Sequence, residues 1–381
     1  MQEKLRVFQS LQEDQKIDLV VRRKRVLKSA ADAINNQLGF SFYGVPVITF
    51  SGEDAVDLGG PKREFFTMAT QQLPQLGVFE GKQNRMYFSH EIALLEKGLY
   101  RLAGQIIAWS ILHGGPGFPA LHPFLYSMMC GSNNTDTLCI SDITDPDVLD
   151  YLQKIENCSS DEQLTETVDL VGDWAANNGC TGIYGMKMNN KDEIVKTLCK
   201  QHIYYRCKSE IDDFQQGLNS IGDFWNMVKE DSAPFKCLLV QSDNELTFPE
   251  MKKLFHMRWS ENSALVDKEE DTVYSWEQFI RKSSNGECSQ VIKLDDGTTE
   301  TAKIALHHIL RFCTGADAIP PLGFDKQVDI HFFSVTPGVK PLPTASTCGL
   351  ELHLPRGMDE ADEFTKMMIE AIVCSPGYGK T

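Results

Sequence analysis

Residues 341–355 read PLPTASTCGLELHLP, and this stretch decides how the last hundred residues of the chain fold. Pro341 and Pro343 keep the segment before Cys348 extended, because proline fixes φ and lacks an amide hydrogen. Leu350, Leu352 and Leu354 then alternate with other residues, which is the period of a strand with one buried face. Cys348 is therefore predicted to lie where a loop enters a strand, among small residues that leave its sulfur accessible.

An accessible cysteine suits acyl transfer by a thiol, because the thiolate attacks a thioester and then presents the acyl group to an amine. The residue pattern leaves a second interpretation open, in which Cys348 is a structural cysteine at the start of a strand. A papain-like pairing of Cys348 with His331 or His353 is a weaker alternative, since both histidines are predicted to point outward from their strands.

The composition limits the classes of function. The chain has 381 residues, with 37 Lys and Arg against 53 Asp and Glu, which gives a net charge of −16. An acidic surface repels a polyanion on average, so we predict protein partners and no nucleic acid. With 42% hydrophobic residues the chain is typical of globular proteins, and its length predicts two or three domains.

The cysteines and the apolar segments indicate the cellular compartment of the chain. Eleven cysteines are too few for a disulfide scaffold, and their odd number prevents complete pairing, so we predict reduced thiols. The most apolar stretch, residues 99–112, contains Arg101 and Gln105 and is too short to cross a bilayer. We therefore predict a cytoplasmic or nuclear location and no membrane partner.

Local patterns divide the chain into two parts. The first forty residues are predicted to form a helix whose basic residues 22–25 are either solvated or a nuclear-localisation signal. Apolar residues thin out at 260–271, SENSALVDKEED, which predicts a linker between a mainly helical part and a small α/β domain. In that small domain, residues 328–333 and 350–354 alternate as strands, and residues from 359 onward predict a last amphipathic helix.

A metal site is not predicted from spacing. Cys199, His202 and Cys207 have loosely metal-like spacing on one helical segment, but a second pair of cysteine or histidine ligands is missing. We predict no cofactor and no metal.

Taken together, these residues resemble the HECT domain of ubiquitin-protein ligases. The resemblance is carried by four segments, which read VITFSGEDAVDLGGPKREFFTMATQQL (47–73), YRLAGQIIAWSILHGG (100–115), LRFCTGADAIPPLGF (310–324) and LPTASTCGLELHLP (342–355). Within the family, EIDDFQQGL (210–218) and MVKEDSAPFKCLL (227–239) are similar to the G2/M-phase-specific ubiquitin ligase group.

The resemblance implies an α+β, bilobal fold. A large, mainly helical N-lobe at 1–265 would dock a ubiquitin-conjugating enzyme within about 140–260, and a small C-lobe at 266–381 would carry the catalytic cysteine beyond a hinge. Cys348 would take ubiquitin from the conjugating enzyme as a thioester and pass it to a substrate lysine. The implied partners are ubiquitin, a conjugating enzyme and protein substrates.

The resemblance also implies residues that support Cys348, and it leaves open alternatives to ubiquitin transfer. Thr347 would shape the loop before the nucleophile, and Tyr378 stands where many members have a phenylalanine needed for transfer to lysine. Ser346 and Gly349 replace a histidine and a phenylalanine that many members carry, and both changes could lower activity. One alternative is therefore a HECT-fold module that binds ubiquitin or a conjugating enzyme without transfer, and another is a thiol hydrolase.

Overall fold

A computed structural model describes residues 1–53, 59–133, 135, 137–241, 246–293, 299–335 and 342–375. The chain forms two compact units, and each is made of three segments. The first unit contains Met1–Leu11, Thr70–Leu112 and Gly117–Ser242, and the second contains Gln12–Ala69, His113–Pro116 and Asp243–Thr381. Helices predominate over short strands, in agreement with the predicted α+β class. Among the helices of the described residues, none has the length and apolar character needed to cross a membrane.

The described residues contain sixteen α-helices and ten strands. The helices are α1 (Gln2–Gln9), α2 (Val26–Asn36), α3 (Gly60–Gln72), α4 (Ile92–Glu96), α5 (Leu99–Leu112), α6 (Pro123–Met129), α7 (Pro146–Glu156), α8 (Asp161–Asn177), α9 (Lys191–Ile203), α10 (Lys208–Asn219), α11 (Phe224–Glu230), α12 (Ser232–Phe235), α13 (Phe248–Lys253), α14 (Ser263–Ser284), α15 (Leu306–Thr314) and α16 (Ala361–Val373). The strands are β1 (Glu13–Val21), β2 (Gly44–Phe50), β3 (Phe79–Lys82), β4 (Arg85–Phe88), β5 (Phe255–Met257), β6 (Ser289–Lys293), β7 (Thr299–Lys303), β8 (Val328–Phe333), β9 (Thr344–Ser346) and β10 (Glu351–Pro355).

The first unit is built around helix α5, which is buried along most of its length. Helix α10 packs against it, and the half-exposed Arg101 of α5 is anchored by Asp213 of α10. One Asp213 carboxylate oxygen accepts from the Arg101 backbone amide at 3.0 Å, and the other accepts from Arg101 Nε at 2.9 Å. The apolar stretch at 99–112 is therefore a core helix of a globular unit.

The second unit contains a four-stranded sheet in the order β5-β8-β10-β9. Strands β5, β8 and β10 are parallel, and β9 runs antiparallel to β10. The predicted alternations hold, since Ile330 and Leu352 face the core while His331 and His353 are half-exposed. Asp329 is an exception, because the alternation at 328–333 predicts an outward side chain at this position, yet Asp329 is buried. Arg258 covers it with an ion pair at 2.9 Å.

Three helices complete the core of the second unit. Phe279 of α14, Ile309 of α15 and Phe364 of α16 belong to one hydrophobic cluster with the apolar faces of β8 and β10. The last helix begins at Ala361 after the acidic Asp359 and Glu360, as the sequence predicts, and Phe364, Met367 and Met368 are buried. Burial of large apolar side chains contributes about 1.5–3 kcal/mol each, so this cluster holds the sheet and helices together.

The prediction of one helix over the first forty residues is wrong. The segment forms α1, then β1, then α2, and β1 pairs in parallel with β2. The buried residues Ile17, Leu19 and Val21 recur every second position, which is a strand period. The segment is helical at Gln2–Gln9 and again from Val26, with a strand between. The prediction of one helix therefore merged a helix period with a strand period.

Of the basic residues at 22–25, Arg22, Lys24 and Arg25 are exposed to solvent, as one of the two interpretations predicts. Arg23 differs, because it is partly buried and held between two carboxylates. Arg23 Nε lies 2.5 Å from Glu53 Oε1, and Arg23 Nη1 lies 2.5 Å from Glu64 Oε1. Its guanidinium also lies 4.0 Å from the centre of the Phe50 ring. Arg23 therefore ties the end of β2 to helix α3.

The predicted linker at 260–271 is largely helical, since α14 begins at Ser263. The charge run contains Glu269, which is fully buried. Glu269 accepts hydrogen bonds from Ser260 N at 2.9 Å, Ser260 Oγ at 2.5 Å and Arg356 Nε at 2.7 Å. The segment was predicted to be a linker, but its Glu269 connects Ser260, just before α14, to Arg356, just after β10. The lobe boundary at 265/266 and the docking region at 140–260 stay predictions.

Glu269→Gln is expected to lower the free energy of unfolding by about 3 kcal/mol at neutral pH, because it leaves Arg356 without its buried partner. Burial alone would raise the pKa of Glu269, but hydrogen bonds from Ser260 and Arg356 outweigh burial and hold the pKa below its ordinary value. The stabilisation is therefore present above the unfolded-state pKa of about 4.3 and is lost as the pH falls through the folded-state pKa.

Urea unfolding of the wild type, Glu269→Gln and Glu270→Gln at several pH values checks this prediction. Glu270 is the exposed neighbour in the same helix and serves as the matched control, whose stability should stay near that of the wild type. Equal stability of all three proteins at neutral pH would contradict the role given to Glu269.

Candidate functional site

Burial separates the cysteines that suit nucleophilic chemistry from those that do not. All eleven lie in described parts of the chain and are free thiols. Burial raises the pKa of Cys199 and Cys207 to about 12 and that of Cys313 higher still, so these three thiols stay protonated at neutral pH. Cys348 differs from them because it is only half-buried and lies in a turn.

The Cys348 turn connects β9 to β10. The sequence predicts the entry into β10, but strand β9 before the turn was not predicted. Ser346 pairs with Glu351 across the two strands, and the Gly349 amide donates to Ser346 Oγ at 3.2 Å. Leu350 has a left-handed backbone with φ of 51°, which is uncommon for a leucine. Its side chain is buried and its carbonyl accepts from Asp329 N at 2.8 Å, so packing and hydrogen bonding hold this conformation.

Helix α3 begins directly against the Cys348 turn. A Cβ atom at Gly60 would lie 2.9 Å from Cys348 Sγ and from Cys348 N, and closer still to Thr347 Oγ1. Only a glycine therefore lets the helix approach the turn this closely. The first turn of a helix carries partial positive charge, which suits the negative sulfur that acyl transfer requires.

Arg63 fixes the turn through two backbone carbonyls. Its Nε donates to the carbonyl oxygen of Thr314 at 2.8 Å, and its Nη2 donates to the carbonyl oxygen of Thr347. Thr314 ends helix α15, and Thr347 directly precedes Cys348. Arg63 therefore brings together three segments that are far apart in the sequence, namely PKREFF, RFCTG and STCGL.

Sequence reasoning placed Cys348 and Thr347 in one loop but missed Gly60, Arg63 and Thr314 as parts of the site. All three lie in segments singled out for their family resemblance, yet only the structure brings these segments into contact. Tyr378 lies outside the described residues. The functional roles of Cys348, Thr347 and Tyr378 stay predictions.

The weaker alternatives gain no support from the geometry. The rings of His331 and His353 stack on each other with centres 5.3 Å apart on neighbouring strands. In the part of the chain that the structure describes, neither ring hydrogen-bonds to Cys348. Cys199, His202 and Cys207 likewise do not gather into a three-ligand cluster within the described residues.

Arg63→Ala is expected to speed alkylation of Cys348 by iodoacetamide severalfold, because the turn loses the anchor on Thr347 that holds the sulfur against Gly60. Mass spectrometry of the peptide carrying Cys348 measures the rate, with the exposed Cys139 as a reference in the same sample. Arg22→Ala is the control, since Arg22 pairs with Asp32 at the surface. An unchanged Cys348 rate in Arg63→Ala would show that the anchor does not restrain the turn.

Known sequences match this chain over most of its length. The sequence model of the HECT domain (ubiquitin-transferase) matches residues 66–380. The G2/M phase-specific E3 ubiquitin-protein ligase of Homo sapiens is 24% identical over 340 residues, which cover 88% of this chain and 44% of the relative. The Gallus gallus protein of that name is 27% identical over 276 residues, covering 72% of this chain and 34% of the relative.

A second human relative is aligned over more of this chain. The probable E3 ubiquitin-protein ligase HERC4 of Homo sapiens is 25% identical over 380 residues, which cover 94% of this chain and 32% of the relative. The chain thus spans less than half the length of these curated relatives. The match over residues 66–380 shows that this chain belongs to the HECT-domain family of ubiquitin transferases.

Proposed function

We propose that this chain is a ubiquitin transferase that works through a thioester on Cys348. The Cys348 sulfur attacks the thioester carbonyl carbon that joins ubiquitin to a conjugating enzyme, and the conjugating enzyme's thiolate leaves. A lysine amine of a protein substrate then attacks the new thioester, forms an amide bond and loses a proton, and the Cys348 thiolate leaves. The observation that carries the proposal is the half-buried Cys348 in a turn anchored by Arg63 and Gly60.

Positioning is the main task of such a site. Exchange of one thioester for another changes the free energy little, so the protein must mainly bring two sulfurs and one carbonyl together. Arg63 supports this interpretation because it fixes the backbone one residue before Cys348 without blocking the sulfur with a side chain. Thr347 is proposed to shape the turn, and Tyr378 to act as the terminal aromatic anchor during transfer to lysine.

We further propose the two-lobe organisation, with an N-lobe at 1–265, a C-lobe at 266–381 and a hinge between them. Within the predicted linker at 260–271, bending is expected at 260–262, because α14 begins at Ser263 and a helix interior resists bending. The proposed boundary at 265/266 thus lies just inside the first turn of α14. The reduced cysteines and the acidic composition favour a cytoplasmic or nuclear location.

Docking of the conjugating enzyme is proposed on exposed apolar side chains within 140–260. Leu170 of α8 is 74% exposed, and Tyr184, in the turn that follows α8, is 58% exposed. The Tyr184 hydroxyl donates to Asp173 at 2.7 Å, and its ring lies against Gly172 on the same helix. Leucine and tyrosine left in solvent on one helix and the turn beside it are typical of a protein-binding surface.

The first test mixes ubiquitin-activating enzyme, a panel of conjugating enzymes, labelled ubiquitin and this protein, quenched without reductant. We expect a reductant-sensitive ubiquitin adduct on the wild type and none on Cys348→Ala, because the acceptor sulfur is gone. Cys374→Ala is the matched control, since Cys374 is an exposed thiol of the same unit, and it should form the adduct. No adduct from folded wild-type protein would overturn the proposal and favour a binding module without transfer.

Leu170→Asp is expected to slow adduct formation by about tenfold, because a charge replaces an apolar contact with the conjugating enzyme. Single-turnover rates at limiting protein concentration measure the effect. Leu38→Asp is the control, since Leu38 is fully exposed but lies outside the proposed docking region. Equal rates for the two variants would remove Leu170 from the docking surface and leave the role of Cys348 untouched.

A further inference from the structure

A second cluster of reactive side chains lies in the first unit. His90 follows β4, Cys207 directly precedes α10, and Glu210 lies in the first turn of α10. One possible metal-ligand atom from each residue lies within 4.8 Å of the others. The proposed ubiquitin transfer uses none of these three residues.

Glu210 is the unusual member of this cluster. Its side chain is 1% exposed, and one carboxylate oxygen lies 2.7 Å from His90 Nδ1. The other oxygen, Oε2, is buried without a hydrogen-bond partner among the described residues. A buried acceptor left unsatisfied costs about 1–3 kcal/mol, and more when it is charged, so a bound cation beside this oxygen would be stabilising.

The surroundings leave the cluster available for a cation. Cys207 is buried and its thiol donates to the carbonyl oxygen of Phe88 at 3.1 Å. The nearby Arg206 is already engaged, since it donates to Glu80 and, at 2.5 Å, to the carbonyl oxygen of His202. His90 is half-exposed and gives access from solvent.

We propose that His90, Cys207 and Glu210 bind a divalent metal ion, with Zn²⁺ as the best fit. Zinc prefers nitrogen, sulfur and carboxylate oxygen at about 2.0–2.3 Å, and an open site has three protein ligands and one water. Tetrahedral ligands at those lengths are separated by roughly 3.3–3.7 Å, so the side chains need only small shifts from their present positions. Burial keeps the Cys207 thiol protonated without a metal, but coordination to Zn²⁺ displaces its proton to solvent. One thiolate with one carboxylate then balances the two positive charges of the ion.

The sequence gives little sign of such a site. His90 is separated from Cys207 by more than a hundred positions, so no ligand-spacing motif connects them. Cys207 was considered with Cys199 and His202, which share its segment, but the fold pairs it with His90 and Glu210 instead.

Titration of the chelator-treated 381-residue chain with Zn²⁺ against a chromophoric chelator tests the proposal, with Co²⁺ as a spectroscopic substitute. We expect one strong site per chain and a thiolate-to-cobalt charge-transfer band. His90→Ala should weaken binding by about tenfold or more, since loss of even an outer-shell partner costs about 10–100-fold. Cys207→Ser should abolish the band, whereas Cys237→Ser, a change at an exposed cysteine, should leave both affinity and band intact.

His90→Ala is the more informative variant because His90 is half-exposed, so the fold should tolerate the change, and circular dichroism checks that it does. Absence of a strong site in the wild type, or full affinity and band in both His90→Ala and Cys207→Ser, would overturn the proposal. His90 and Glu210 would then form only an ion pair. Neither result bears on Cys348, which lies in the other unit.

Discussion

The hydrogen bonds of Arg63 to the carbonyl oxygens of Thr314 and Thr347 are the contacts on which the site depends. A turn between two strands has carbonyl groups that the strands cannot satisfy, and such groups need partners from elsewhere. A guanidinium suits this task because it presents several donors in a fixed plane. Through Arg63, the end of α15 and the turn that carries Cys348 are both attached to the start of α3.

The start of α3 is itself held firmly. Glu64, the residue after Arg63, pairs with Arg23, and Arg23 also pairs with Glu53 at the end of β2. On the turn's side of α3, Gly60 lies against Cys348 where any side chain would collide with the sulfur. Charge pairing on one side and close backbone packing on the other therefore define where the sulfur lies. A fixed sulfur position suits thioester exchange, because the reaction changes the free energy little and depends mainly on how the reacting atoms are positioned.

The sequence predicts those features that local periodicity or a specific motif can reveal. The alternation of Leu350, Leu352 and Leu354 identified the strand beside Cys348, and the buried Phe364 and Met368 identified the last helix. The family followed from whole motifs and is confirmed by the match over residues 66–380. In each case neighbouring residues carry the information.

The features that were missed depend on contacts between distant residues. Arg63 lies 251 positions from Thr314 and 284 from Thr347, and nothing in the sequence around Arg63 shows what it will contact. Glu269 was placed in a linker because its contacts with Ser260 and Arg356 form only in the fold. The helix predicted over the first forty residues failed for a local reason, since a strand period and a helix period were merged.

The proposed function requires that Cys348 accepts ubiquitin and then transfers it to an amine. The most direct measurement first forms the ubiquitin adduct, then stops further loading, and finally follows the adduct after free lysine is added. We predict that the adduct decays as ubiquityl-lysine appears, at a rate that rises with lysine concentration. An adduct that persists, or that decays only to free ubiquitin at a rate independent of lysine, would contradict a transferase and indicate a carrier without transfer or a thiol hydrolase.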